Sequence, residues 1–402
     1  MRICAPLVVR CPDQVVSDGS VRLVSSFLKP DAADLTLENA VVMPPFINSH
    51  DHLVGNWYPR SGENRPYVNS HIWVEDMKKS ASYRERNKVW INDGSFRLHK
   101  GNARLIVALG VYKNVFSGVG VVQDHAPNQD DSYYQGWPIR ILQEYRQAHS
   151  VTLNNWWGGG SLEDEMDNTD GNMPFITHLG EGTDEVTRGE FEELASMGLL
   201  RANTVIVHGV ALTDSELARV AEAGATVCWC PASNEYLLGR HLDVAACRRH
   251  GVNIVLGTDS TQSGSANLFS ELREAHKHEP EVPAAELFAM ISVNARRAMF
   301  LDDLHGALKP ETPHLLALRR RHEDPFENLL HVGMEDVLLH VYAGRPVYGL
   351  ARYLDRFAID AADYGFFSLN GEERFVAGHP AQTMQTIDSL LGYHKTFPFL
   401  PF

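Results

Sequence analysis

Between Pro44 and about Leu301, short apolar runs alternate with helical stretches, and this alternation restricts the fold more than any other property of the chain. The clearest strands are Phe46–Ser49, Val119–Asp124, Phe175–His178, Thr204–Gly209, Ala225–Cys230 and Asn253–Thr258. Helical stretches lie at Gly189–Ser196, Asp214–Ala223 and Leu268–Ala275. Another is read over Pro283–Phe300, with Pro near its start as a first helical residue. Strands alternating with helices signal a parallel α/β architecture. Pro138–Leu153 holds two further strands with little room for a helix between them, which brings the expected total to eight. A span of this length fits a (β/α)8 TIM-type barrel, where functional residues gather at the C-terminal ends of the strands. Residues 1–43 read instead as short strands, Leu7–Val9, Val21–Ser25 and Leu35–Leu37. Leu315–Leu318 and Val337–Val347 return to that pattern and complete a small sheet. The expected division is therefore a barrel over 44–303, a small β-domain from 1–43 and 304–350, and a C-terminal extension over 351–402.

The bulk numbers exclude several functions. With 402 residues, 44% hydrophobic and 22% charged, the chain has the make-up of a soluble globular protein with ample core. A net charge of −15, with no Lys/Arg-rich block, argues against nucleic acid or an anionic membrane as partner. The five Cys, at 4, 11, 228, 230 and 247, form no disulfide framework, and Cys228 and Cys230 read as core thiols. The first residues do not read as a signal peptide, and no apolar run is long enough for a membrane span. A cytoplasmic location is expected.

His50-Asp51-His52 closes the first strand. Side chains at i and i+2 of an extended segment share a side, so both rings can reach one divalent ion. About one His-x-His is expected by chance in a chain this rich in His, and a second, His276-Lys277-His278, sits in a polar helical stretch. The first pair acquires meaning from its partners. His178 ends a strand and is followed by Glu181, His208 ends the next, and Asp259 follows Gly257-Thr258 at the last. A single His at a strand end is ordinarily structural and an Asp after Gly-Thr is ordinarily a helix cap. Four such ends, in a fold whose strand ends converge, describe a metal-assisted site.

These residues, with Pro44–Ser49, Cys230-Pro231-Ala232-Ser233-Asn234 and Ser260, resemble the amidohydrolase superfamily of metal-dependent hydrolases. The likeness is to the branch holding cytosine, guanine and S-adenosylhomocysteine deaminases, imidazolonepropionase and atrazine chlorohydrolase, and it spans about residues 35–350. The resemblance implies a barrel with a small β-sandwich built from both chain ends. It implies metal ligation by His50, His52, His178 and Asp259, with His208 orienting the activated water and Glu181 shuttling a proton. It also implies one divalent ion rather than two. Binuclear relatives use a carbamylated Lys from a mid-barrel strand, whereas Lys113 ends no such strand and no Lys lies between it and His178. The donor set suits Zn²⁺, with Fe²⁺ or Mn²⁺ compatible. Three departures bear on the substrate: Pro45 before Phe46, Trp229 before Cys230-Pro231, and Pro313-His314-Leu315 near the end of the small domain.

The expected reaction is deamination of an amino-substituted N-heterocycle with release of ammonia. Cyclic-amide hydrolysis uses the same machinery, and a non-catalytic barrel scaffold is the alternative of another class. A cytidine-deaminase-type zinc fold does not fit, because Cys228-Trp229-Cys230-Pro231 has the wrong order. The partner is a small molecule, and a homo-oligomer is compatible with the chain. The long loop after the first strand offers Trp57, Tyr58 and Trp73 for stacking on a flat ring and Arg60 or Arg65 for an anionic group, although all can equally serve loop packing. His125, ending the second strand, points toward the mouth as a further substrate contact. Trp156-Trp157-Gly158-Gly159-Gly160 reads either as an anchor on a lid or as a packed loop, and Asn234 as a turn residue. His71, His99, His276 and His278 are expected to be surface or structural residues.

Overall fold

The structure, a computed structural model, describes residues 1–90, 97–153 and 160–402. Among them run eight parallel strands: β1 (Phe46–Asp51), β2 (Val119–Asp124), β3 (Arg140–Ile141), β4 (Arg146–Ser150), β5 (Phe175–Leu179), β6 (Thr204–His208), β7 (Thr226–Trp229) and β8 (Asn253–Leu256). Hydrogen bonds join them into a sheet β1-β2-β3 and a sheet β8-β7-β6-β5-β4. β1, β2, β5, β6 and β7 are buried along their whole length, as parallel strands covered on both faces must be. Ile47, Val121, Ile176, Val205, Val207, Cys228 and Val255, drawn from both sheets, meet in one enclosed apolar cluster. The two sheets also touch at their ends, where Asp259 N donates to His50 O (3.1 Å).

Helices packed around these strands include α1 (Ser70–Met77), α2 (Ala81–Val89), α3 (Ala103–Val115), α4 (Asp214–Ala223), α5 (Pro231–Leu238), α6 (Leu268–His278) and α7 (Pro380–Leu391). α4 shows how local sequence sets its bounds. Thr213 and Glu216 form a reciprocal capping box, Leu217 and Val220 face inward, and left-handed Gly224 closes the helix. The single helix expected over Pro283–Phe300 is instead two, Ala284–Met290 and Val293–Ala298. Pro283 caps the first rather than starting it. The break comes where Ile291 O turns away to accept from Ile47 N (2.9 Å) and Ser292 Oγ bonds back to Phe288 O (2.5 Å).

The chain-end strands are longer than their sequence suggests. Arg2–Cys11 and Gln14–Leu23 form one hairpin, and they join Ala40–Met43, Leu315–Arg319, Val337–Tyr342 and Arg345–Leu350 in a single ten-stranded sheet rather than two stacked ones. The extension continues that sheet with Glu372–Ala377 and Tyr364–Leu369. One face encloses Ile3, Val21, Leu339 and Phe375, while the other, with Val41, Leu316 and Val376, packs on the main core. No helix of the described residues is long and apolar enough to cross a membrane.

α3 approaches the end of β1 closely at Gly110, where an added Cβ would lie 2.6 Å from Leu53 Cα and O. Gly110→Ala is expected to cost about 1–3 kcal/mol in spite of alanine's better helix propensity. An unchanged urea midpoint would show that the helix is free to shift.

Candidate active site

Four strand ends converge on one cleft. β1 advances three residues, Asn48 to Asp51, while β2 advances two, Val122 to Asp124. That bulge re-aims the end of the strand. His50 and His52 stand side by side with ring centroids 4.8 Å apart, while Asn48 and Asp51 bond to α3. β5 brings His178 to 5.0 Å from His50 and 5.3 Å from His52, and β6 brings His208 to 5.4 Å from His178. After β8, Asp259 Oδ1 lies 3.6 Å from His52 Nε2. Both His208 (φ 76°) and Asp259 (φ 51°) hold left-handed backbone, which side-chain-bearing residues adopt only where the surroundings impose it.

The ring orientations are set by acceptors that cannot donate. His52 Nδ1 donates to His125 O (2.7 Å) and His178 Nδ1 to His149 O (2.6 Å), so each neutral ring keeps its Nε2 lone pair. With Asn234 Nδ2 donating to His208 Nδ1 (2.8 Å), the His208 ring proton sits on Nε2, 3.3 Å from Glu181 Oε1. Asp259 Oδ2 accepts from Ser233 Oγ (2.7 Å) and Ser263 Oγ (2.9 Å), and its Oδ1 from Ser260 N (2.6 Å).

Burial governs the charges. It drives His50 and His178 well below the ordinary imidazole value, helped by the neighbouring histidines, and takes His208 down to about 4. Burial raises Glu181 to about 8, with the Asp259 charge adding to the rise. Burial also works to raise Asp259, but His52, His50 and His208 together outweigh it and hold that carboxyl below its ordinary range. Neutral imidazoles and an ionised carboxylate are the ligating forms. The donor atoms of His50, His52 and Asp259, of His50, His178 and His208, and of Glu181, His208 and Asp259 each lie within 4.8 Å of one another. Fully buried His50, in addition, makes no well-formed hydrogen bond from either ring nitrogen among the described residues. These residues fit a divalent ion.

The amidohydrolase family model matches residues 169–313. A 5'-deoxyadenosine deaminase of Methanothrix thermoacetophila is 32% identical over 325 residues, covering 72% of this chain and 77% of that one. This chain belongs to the amidohydrolase family. An adenosine deaminase from Xanthomonas campestris with bound zinc has the same fold (TM-score 0.68, 19% identity, 86% of this chain and 92% of that one). So has an atrazine chlorohydrolase from Arthrobacter aurescens complexed with zinc (TM-score 0.66, 16% identity, 97% of this chain and 100% of that one).

In this amidohydrolase the cleft beside the histidines is walled by Tyr58, Trp73, Val74, Met77, Tyr83 and Trp90, with Lys78 and Arg86 among them. Trp73 and His125 line it, and so does His71, which the sequence had left to the surface. Trp57 and Arg60 do not. Trp57 is fully buried against Phe397 (5.8 Å) beneath the C-terminal tail. Arg60 Nε donates to Gly264 O (3.0 Å) and its guanidinium sits 5.1 Å over Tyr236. Trp156 and Trp157 lie outside the described residues.

Two buried groups beside the site escaped the sequence reading. Lys113, set aside because it ends no strand, reaches the cleft floor from α3 instead. Its Nζ, with three N–H bonds to share, has four acceptors within reach: Asp51 Oδ1 (3.1 Å), Asn56 Oδ1 (2.9 Å), Thr258 Oγ1 (3.0 Å) and Asp259 O (2.7 Å). Asp51 also accepts from Asn56 and Asn114 (both 2.9 Å). Glu271 of α6 accepts from Ala232 N (3.1 Å), holding the start of α5, from which Ser233 and Asn234 reach Asp259 and His208. Both were hidden because neither lies near the motif in sequence.

Lys113→Met leaves the Asp51 carboxylate buried and uncompensated, so a loss of about 3–5 kcal/mol is expected in denaturant titrations. Adding Asp51→Asn should recover part of it, and additive losses would show that the pair is not coupled. Burial lifts Glu271 to about 8 from an ordinary 4.5, so between those values the folded state holds the extra proton. Its contribution is complete below about pH 4.5 and is lost as pH rises through about 8. Glu271→Gln should flatten the stability–pH curve in that window, and an unchanged slope would refute the assignment.

Proposed function

We propose that this chain is a metal-dependent hydrolase that deaminates an amino-substituted purine-type heterocycle, releasing ammonia. The observation that carries the reading is geometric: His50, His52, His178, His208, Glu181 and Asp259 bring their donor atoms together in trios no more than 4.8 Å across. Glu181 is held protonated up to about pH 8, while Asp259 is held ionised. Such a pair supplies an acid and a base at the same pH. The deaminase relatives and the aromatic wall of Tyr58, Trp73 and Trp90 support a flat, amino-bearing ring as substrate.

His50, His52, His178 and Asp259 are the residues that would hold the ion, and zinc suits their nitrogen and oxygen donors. A divalent ion there lowers the pKa of water toward neutrality and polarises the reacting centre. Asp259, anchored by Ser233 and Ser263, accepts the proton released as water adds to the amino-bearing carbon. Glu181 delivers a proton to the adjacent ring nitrogen. The proton held on Asp259 then passes to the departing amino group while the adduct's hydroxyl proton returns to Glu181, so that ammonia leaves and both carboxyls recover their starting states. His208, fixed by Asn234, orients the attacking oxygen.

The two parallel sheets are read as arcs of one (β/α)8 barrel over 44–303, with the chain-end sheet from 1–43 and 304–350 beside it and 351–402 as an extension. Support comes from the interior cluster shared by both sheets and from the Asp259–His50 backbone bond between them.

Glu181→Gln is expected to lower kcat by about 10²–10⁴ while metal content stays unchanged, and near wild-type turnover would remove the acid role. Asp259→Asn should abolish turnover. The kcat/KM profile of the wild type should fall on the alkaline side near pH 8, where Glu181 loses its proton. Ammonia release over a panel of purines, pterins, pyrimidines and triazines tests the reaction itself. Ring-opened acids without ammonia would replace deamination with cyclic-amide hydrolysis, and a purified protein without metal or turnover would point to a scaffold.

A further inference from the structure

The second His-x-His of the sequence is not idle surface. His278 ends α6 with its ring 4.8 Å from that of His241, in the segment after α5. Left-handed Gly239 (φ 63°) closes α5 and brings the chain back, so that Glu235, His241 and His278 present donor atoms within 4.8 Å of one another. None of the three lines the cleft. His241 Nδ1 and His278 Nε2 are withdrawn from solvent, and neither makes a hydrogen bond among the described residues. An imidazole nitrogen buried without a hydrogen bond costs free energy, and here His241 Nδ1 is one while His278 Nε2, on the ring in contact with it, has only a carboxylate at ion-pair distance. Glu274 Oε2 stands 3.5 Å from His278 Nε2, although it also accepts from Lys277 Nζ (3.0 Å). Burial, then the charge of His278, pushes His241 below its ordinary value and keeps it in the neutral form.

We propose that Glu235, His241 and His278 form a second divalent-metal site, structural in role and of zinc type, outside the catalytic cleft. Two imidazoles and a carboxylate are a zinc donor set, with the fourth position open to water or Glu274. Ligands at about 2.0–2.2 Å from a tetrahedral ion lie roughly 3.5 Å apart, a contraction within reach of side-chain rotation because the Glu235 side chain is exposed. The ion would join the C-terminal end of α6 to the turn that follows α5. The other ends of these helices hold the catalytic groups: Ser233 and Asn234 of α5 bond to Asp259 and His208, and Glu271 of α6 bonds to Ala232 N. The ion thereby braces from outside the two helices that orient those groups.

The test is a zinc count on untagged full-length protein, stripped with chelator and reloaded with zinc chloride alone. Wild type is expected to bind two equivalents. His241→Ala with His278→Ala should bind one, lose the part of the zinc-dependent rise in Tm that belongs to this site, and keep turnover within about threefold. His241→Gln and His278→Gln give the same reading if the alanine variant fails to fold. A cleft variant, His50→Asn with His52→Asn, should keep the outer equivalent, so failure at either site is read separately. One equivalent in the wild type, an undiminished count in the His241/His278 variant, or an outer equivalent held only at millimolar zinc overturns the proposal.

Discussion

The buried ion pair between Lys113 and Asp51 is the contact on which the geometry of the cleft depends. Neither side chain touches water, so each charge requires full compensation, and the structure provides it through Asn56, Asn114, Thr258 and the Asp259 carbonyl. The demand for partners is what organises the site. One ammonium gathers the end of β1, the turn after it and the end of β8 onto a single helix. Asp51, between His50 and His52, is thereby pinned on the side opposite their rings, and Asp259 is drawn by its own backbone toward the same point. Buried ion pairs contribute little net stability, but their geometric demands are strict. Gly110 allows the approach by carrying no side chain where α3 meets Leu53.

On that frame the low dielectric sorts the ionisable groups. Histidines crowded out of water stay neutral and available as ligands. Of the carboxyls, Asp259 faces His52, His50 and His208, accepts from Ser233, Ser263 and the Ser260 N–H, and remains ionised, whereas Glu181, just as buried, is repelled by Asp259 and keeps its proton. The difference in role follows from neighbours rather than from residue type, and it arises wherever two acids share a dry cleft with unequal access to hydrogen-bond donors.

Much of this was legible in the chain. The parallel strands follow from apolar runs of the right length, and even the short pair within Pro138–Leu153 is where the pattern put it. His50, His52, His178, Glu181, His208 and Asp259 stood out because each sits at or just beyond a strand end, and the structure brings the donor atoms of all six together. Other expectations failed for reasons that are not local. The helix read over Pro283–Phe300 breaks because Ile291 gives its carbonyl to β1. Trp57 and Arg60 looked like pocket residues by type and proximity, but Phe397 covers one and Gly264 holds the other. Lys113 and Glu271 were passed over because their partners are remote in the chain.

By itself, therefore, the sequence determined the repeating strand–helix order, the residue types available for a metal and for proton transfer, and their placement at strand ends, since these depend on periodicity and spacing within short segments. Only the tertiary structure decided which of those residues face one another, which carboxyl keeps its proton, which aromatics wall the cleft, and that His278 of the second His-x-His finds His241. Those outcomes depend on burial and on partners far apart in the chain, and neither exists until the chain has folded.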